Sequence, residues 1–348
     1  MKIIPAQTKI ICQNDTSFFN YFGWPTVGRL TNGALAMVCS GFRTAHVDPF
    51  GKGTICYSYD EGKTWTAPAV VIDTPEDDRD CGIVTFGNKT MVTTFNNGIK
   101  RQLSLTQVTP MMQAYVDSID CEKADEEFYG PLYTVTEDGY TFGEVKKLPV
   151  QNPHGPCPDN KGGAFTVGNP FIMGKSFQDL ECYAIDKDLN FTYLSTIPTP
   201  EGQIYCESHA IVLEDRIIVM VREEKTFRLK QHISFDGGRT WDEGHYIETV
   251  KNGAPPHLMR HSNGTLICSY GRRAEPFGEM VMFSTDKGQT WDCDYYIYPD
   301  APHPDLGYPA TVELKDGSLL TVYYQRKEGQ TNCVIMQSTW ELPEKYRK

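Results

Sequence analysis

Short runs of apolar and β-branched residues alternate with polar ones along most of this chain, and many of the runs are paired around tight turns. Leu30-Thr31-Asn32-Gly33-Ala34-Leu35, His261-Ser262-Asn263-Gly264-Thr265-Leu266 and Leu314-Lys315-Asp316-Gly317-Ser318-Leu319 have the same form. Their Asn-Gly and Asp-Gly pairs accept the positive φ of a tight hairpin, so each segment predicts two antiparallel strands. No long helical pattern competes with the strands, and the pattern as a whole predicts an all-β protein.

A second signal follows the hairpins. The pattern Ser-x-Asp-x-Gly-x-Thr-Trp occurs without mismatch at Ser58–Trp65, Ser234–Trp241 and Ser284–Trp291. Degenerate copies stand at Thr136–Phe142 and, more weakly, at Asp186–Thr192. Repeats of about 40 to 50 residues mark propellers and solenoids. Grouping each hairpin with its following turn gives units near 25–65, 80–142, 163–193, 207–241, 255–291 and 306–340. The expected fold is a six-bladed β-propeller with four-stranded antiparallel blades, one domain spanning 1–348, in which a strand at about 2–12 returns to close the last blade. The repeated residues themselves are explained by structure: Asp caps turn amides, Gly supplies the special backbone angle and Trp packs between blades.

Composition narrows the possibilities. The chain has 348 residues, 40% hydrophobic and 12% aromatic, enough for a large core. Its formal net charge is -12 with both signs interleaved, and no basic tract would follow a phosphate backbone, so nucleic acid is not an expected partner. No stretch has the length or hydrophobicity of a membrane-spanning helix, and Lys2, Pro5, Gln7 and Lys9 interrupt the start where a signal peptide is apolar. The 11 cysteines include no C-x-x-C and many sit within strand-like runs. An odd, scattered set of this kind suits a reducing compartment, and a cytoplasmic protein is expected.

Propellers bind ligands at the centre of one face, so polar residues where inner strands begin and end carry the chemistry. Four such stretches, together with the Asp-box form of the repeated turn, resemble the sialidase superfamily. Phe22-Gly23-Trp24-Pro25 is similar to that family's Phe-Arg-Ile-Pro opening, and Asp48 follows at the spacing of its acid/base. Tyr205-Cys206-Glu207 followed by Arg222, then Tyr270-Gly271-Arg272-Arg273, then Asp305-Leu306-Gly307-Tyr308-Pro309 are similar to the glutamate, two binding arginines and the tyrosine nucleophile. The likeness extends from Phe22 to Tyr324. One departure is plain: the arginine of the opening motif, one of three that grip the substrate carboxylate, is Gly23 here, and Arg43 or Arg79 would have to supply the missing charge.

The resemblance implies a retaining exo-glycoside hydrolase, with no cofactor, that releases a terminal acidic sugar such as sialic acid from an oligosaccharide or glycoconjugate. A tyrosine nucleophile avoids the repulsion a carboxylate would meet at a carbon that already bears one. Tyr308 would attack, Glu207 draw off its proton, Asp48 protonate the leaving oxygen and later activate water, and Arg222 with Arg272 or its neighbour Arg273 hold the acid group. Two further stretches border the expected pocket, Glu76-Asp77-Asp78-Arg79-Asp80 and Asn152-Pro153-His154-Gly155-Pro156. The first reads by default as a solvated charge run. The histidines, among them His154, His209 and His257, lack the spacing of a metal motif. His154 is a candidate substrate-binding residue, and His154 or His209 leaves open a lyase or another glycosidase acting on uronate-containing glycans. A non-catalytic glycan-binding propeller is the third reading.

Overall fold

A computed structural model describes residues 1–347 apart from 174, 176, 249, 251 and 252. Its strands form six antiparallel sheets, the blades of a propeller. Blade one comprises Tyr21–Arg29, Leu35–Arg43, Lys52–Ser58 and Ala69–Ile72, and blade two Arg79–Phe86, Lys89–Asn96, Gly130–Thr136 and Lys146–Lys147. Blade three is Cys157–Pro158, Ala164–Gly168, Leu180–Ile185 and Phe191–Ile197, and blade four Tyr205–Val212, Ile217–Glu223, Arg228–Ser234 and His245–Tyr246. Blade five runs Gly253–Arg260, Leu266–Arg272, Gly278–Ser284 and Asp292–Tyr298, and blade six Leu306–Glu313, Leu319–Arg326 and Cys333–Trp340.

The chain's first strands tie the ring shut. Ala6–Cys12 pairs antiparallel with Cys333–Trp340 as the outer strand of blade six, while Lys2–Ile3 continues in parallel alongside Asp292–Tyr298 of blade five. A bond between the two ends of the chain thus replaces an open sheet edge.

The hairpins and repeated turns adopt the geometry their residues predict. Gly33, Gly264 and Gly317 take φ of 86°, 93° and 83° between the first two strands of their blades. At Asp60 one carboxylate oxygen accepts from the Thr64 amide at 2.8 Å and the Ser58 hydroxyl at 2.9 Å, and the other from the Thr64 hydroxyl at 2.7 Å. Asp236 and Asp286 repeat this arrangement, and Asp138 reproduces most of it. The tryptophans reach into the neighbouring blade: Trp65 Nε1 donates to Gln337 Oε1 and Trp291 Nε1 to Gln231 Oε1.

One feature departs from the strand pattern. Between the second and third strands of blade two the chain forms three short helices, α1 (Ile99–Ser104), α2 (Pro110–Asp117) and α3 (Cys121–Phe128). Each is too short for a sustained apolar period, so they show in the sequence only as caps. Thr109 accepts from the Met112 amide ahead of Pro110, and Asp120 accepts from the Lys123 amide.

Candidate active site

Every blade except the third has a register shift in its innermost strand, two residues opposing one, and at four of these bulges the first extra residue is polar or aromatic with a left-handed backbone. Trp24, Asp80, Glu207 and Tyr308 have φ of 55°, 44°, 52° and 53°. A bulge turns a side chain away from the ladder, and non-glycine residues held at positive φ concentrate at functional sites. Here the shared distortion gathers four side chains from blades one, two, four and six.

Tyr308 donates its hydroxyl proton to Glu207 Oε1. The second oxygen of Glu207 accepts from Arg222 Nη1 at 2.6 Å, and Arg222 Nη2 pairs with Glu224 at 2.7 Å. Burial acts to raise the Glu207 pKa, but the Arg222 and Arg273 charges and the Tyr308 hydrogen bond outweigh it and leave the carboxyl below its ordinary value. Burial first, then the negative charges of Glu207 and Asp80, push the Tyr308 phenol well up. The pair therefore rests as carboxylate and neutral phenol, and a proton can leave Tyr308 for Glu207 only as the oxygen forms a new bond.

Asp80 completes the cluster. It is 4% exposed, its Oδ1 has no hydrogen-bond partner, and burial, with Glu207 adding to it against the opposing charges of Arg79 and Arg43, raises its pKa to about 7. A carboxyl tuned to neutrality beside an ionised one is the arrangement of an acid and its partner base. Asp80 and Glu207 line one cavity of about 180 Å³, walled by Phe95, Tyr129, Phe171 and Phe177.

Trp24 packs beside Tyr308. Its indole lies 6.4 Å from the Tyr308 ring and 5.8 Å from Tyr324, with the Arg79 and Arg43 guanidinium groups 4.2 and 4.8 Å from its own ring. Behind it Asp305 accepts from Tyr324 at 3.0 Å and Tyr21 at 3.1 Å and lies 3.1 Å from His46 Nδ1. A side chain at Gly23 would stand 3.2 Å from the Tyr21 ring, so these tyrosines fill the room an opening-motif arginine would need.

The other expected site residues fall at varying distances from this cluster. Asp48 is fully buried within its own loop: Oδ2 accepts from the Thr44 amide, the Thr44 hydroxyl and the Ala45 amide, and Oδ1 from the Phe50 amide. A carboxylate so enclosed organises the loop and has no route to a sugar. Arg43 is likewise spent inside the fold, bound to Asp77, Ser40 and the carbonyls of Ala45 and His46. Arg79 shares Asp77 and the His46 carbonyl and supports Trp24. Arg272 turns to the Glu275 carbonyl, and it is its neighbour Arg273 that stands 5.8 Å from the Tyr308 ring, bonded to the Leu306 carbonyl and the Tyr324 hydroxyl. His154 lies beneath Tyr308, ring to ring 6.2 Å, in a buried group with His209 and His257. Its Nδ1 is 3.0 Å from the Thr26 hydroxyl, its Nε2 has no hydrogen-bond partner, burial drives its pKa well down, and the three histidines line a cavity of about 350 Å³ whose lining does not include Tyr308 or Glu207. Among the described residues no group of three or more His, Cys, Asp or Glu is arranged to hold a metal ion.

No protein-family model matches the chain, and no curated protein matches it in sequence. Solved structures do match it over almost its whole length. A Dyadobacter fermentans protein of unknown function superposes with a TM-score of 0.77 at 18% identity, covering 97% of this chain and 98% of that one. The NanB sialidase of Streptococcus pneumoniae gives 0.68 at 15% identity over 96% of this chain and 70% of its own, and the intramolecular trans-sialidase of Ruminococcus gnavus 0.67 at 14% over 96% and 97%. At these identities the likeness is one of fold: the chain has the propeller architecture of sialidases.

Proposed function

We propose that this protein is a retaining exo-glycoside hydrolase that releases a terminal acidic sugar from an oligosaccharide or glycoconjugate. The observation that carries the reading is the hydrogen bond from Tyr308 to a Glu207 carboxylate already fixed by Arg222, in the lining of a cavity that Asp80 shares. The sialidase fold, found in neighbours solved with sialic acid and with a covalent intermediate, supports a carbohydrate ligand.

In this scheme Tyr308 Oη attacks the anomeric carbon as its proton passes to Glu207, and Asp80, whose raised pKa of about 7 keeps a large protonated fraction near neutral pH, gives its proton to the departing oxygen. Water then enters, Asp80 removes its proton, and attack on the anomeric carbon frees Tyr308, which recovers its proton from Glu207. Two displacements on one carbon retain configuration. A phenol that ionises only as it attacks meets an anionic sugar without the repulsion a carboxylate nucleophile would suffer. The acid/base role falls to Asp80 because Asp48 is enclosed by its own loop.

The test is incubation with aryl glycosides of sialic and uronic acids, following released phenol and the ultraviolet absorbance of an unsaturated product. Phenol release that Tyr308→Phe abolishes supports the reading. Unsaturated product would replace it with a lyase, and binding without turnover with a lectin-like role.

A further inference from the structure

The charges around the cluster indicate where an acidic substrate carries its acid, an inference that rests on the glycosidase reading. Four arginines stand near the cluster, and three of them are paired with carboxylates. Arg43 is taken by Asp77, and Arg79 by Asp77 and the His46 carbonyl. Arg222 lies between Glu207 and Glu224, and Arg273 is bonded to the Leu306 carbonyl and Tyr324. Against them stand Asp77, Glu207 and Glu224, with the Asp80 pKa raised to about 7. A carboxylate on the anomeric carbon would lie against the Glu207 carboxylate, and among the described residues Arg273 is the one of these four guanidinium groups without an acidic partner.

The neighbouring cavity has the opposite character. Arg101 of α1 and Lys175 of the loop after blade three's second strand both line it, both are exposed, and among the described residues neither has an ion pair or a side-chain hydrogen bond. In the same lining Phe171 packs at a tilt against Phe95 at 5.3 Å and Tyr129 at 5.9 Å, aromatic faces that suit the C–H face of a sugar ring. At about 180 Å³ the space is well below the roughly 300 Å³ of a drug-sized site and holds one ring. Asp80 and Glu207 belong to its lining, so a ring held there lies against the proposed acid and base.

We infer that the terminal sugar bears a carboxylate or sulfate away from its anomeric carbon, and that Arg101 and Lys175 grip that group while Phe171 and Tyr129 hold the ring. Uronic acids and sulfated hexoses have this chemistry, and 2-keto sugar acids such as sialic acid do not.

The experiment compares kcat/KM for aryl uronides, aryl sulfohexosides, their neutral parents and an aryl sialoside, with the wild-type protein and with Arg101→Ala, Lys175→Ala and the double variant. Charge-assisted contacts to a charged group predict a fall of about 10- to 100-fold in the acidic-to-neutral ratio for the double variant, with Arg101→Lys retaining part of it. Uronide and sulfohexoside arms decide which anion is used. Preference for the sialoside, or an acidic-to-neutral ratio that the double variant leaves unchanged, overturns the inference. Should no glycoside be cleaved, calorimetric titration with free uronic acids, sulfated sugars and sialic acid separates the two claims. Binding of a uronic acid or sulfated sugar, lost in the double variant, then upholds the anion site while the hydrolase reading fails. Absence of such binding sinks the inference too.

Discussion

Glu207 and Tyr308 share one backbone distortion, φ of +52° and +53° at the bulges that open blades four and six, and that shared turn sets the Tyr308 hydroxyl on the Glu207 carboxylate across the propeller's centre. Neither residue reaches the other from a regular strand, because Arg222 is in register with Cys206 and the ladder resumes only at His209. Replacing Glu207 with Gln keeps the shape and removes the base. The expected loss in kcat is about 10²- to 10⁴-fold, measured by steady-state hydrolysis of an aryl glycoside.

Asp80 and Asp48 should respond in opposite ways. For Asp80→Asn, cleavage of glycosides with poor leaving groups collapses while those with highly acidic phenols survive, since only the former need a proton donor. The wild-type kcat/KM falls as pH rises through about 7, where Asp80 loses the proton it must donate, and this limb disappears in the variant. Asp48→Asn instead weakens the fold by about 1–3 kcal/mol, because three backbone amides and a hydroxyl lose a buried carboxylate acceptor. Thermal unfolding and pH–rate profiles of the two variants distinguish these outcomes.

The buried pair of Arg43 and Asp77 is structural. Both side chains are at most 1% exposed, and Arg79 and Gln102 also bond to Asp77. Asp77→Ala leaves the Arg43 guanidinium beside Trp24 with only the longer, 3.8 Å contact to Asp48 as counter-charge, with an expected cost of about 3 kcal/mol read by urea denaturation.

Glu279 sets a pH dependence of stability away from the site. Neither of its oxygens has a hydrogen-bond partner, and burial, opposed by Arg273, pushes its pKa from 4.5 up to about 8. The folded protein therefore holds a proton that the unfolded chain releases above about pH 4.5, so stability contributed by the neutral acid is lost as pH rises from about 4.5 to 8. Glu279→Gln removes this loss and stabilises the fold at pH 7 by on the order of 2–3 kcal/mol. An unchanged unfolding midpoint across pH 5 to about 8 is the outcome that contradicts it.

The blades were legible because their signals are local. A Gly at a tight turn, an Asp that caps it and a Trp three to five residues on report the same geometry wherever they recur, as at Asp60, Asp236 and Asp286. Glu207, Arg222 and Tyr308 were legible by resemblance, and their separation on blades four and six follows from counting repeats. Asp80 was not: it sits in the acidic run Glu76–Asp80, where composition suggests solvent, yet the bulge after Arg79 buries it. Asp48 misled for the converse reason, since spacing from Phe22 cannot reveal that a loop has closed around its carboxylate. Arg101 was hidden in a helix too short to announce itself, although the caps Thr109 and Asp120 mark that an insertion folds there.

The most direct test of the account is to trap the reaction part-way. A fluorinated glycosyl fluoride of whichever acidic sugar is turned over slows hydrolysis of the intermediate, and peptide mass spectrometry then locates the attached sugar. The account predicts one sugar, on the peptide that carries Tyr308 and on its hydroxyl. A sugar attached to Asp80 or Glu207, or turnover with no covalent species at any time point, contradicts it.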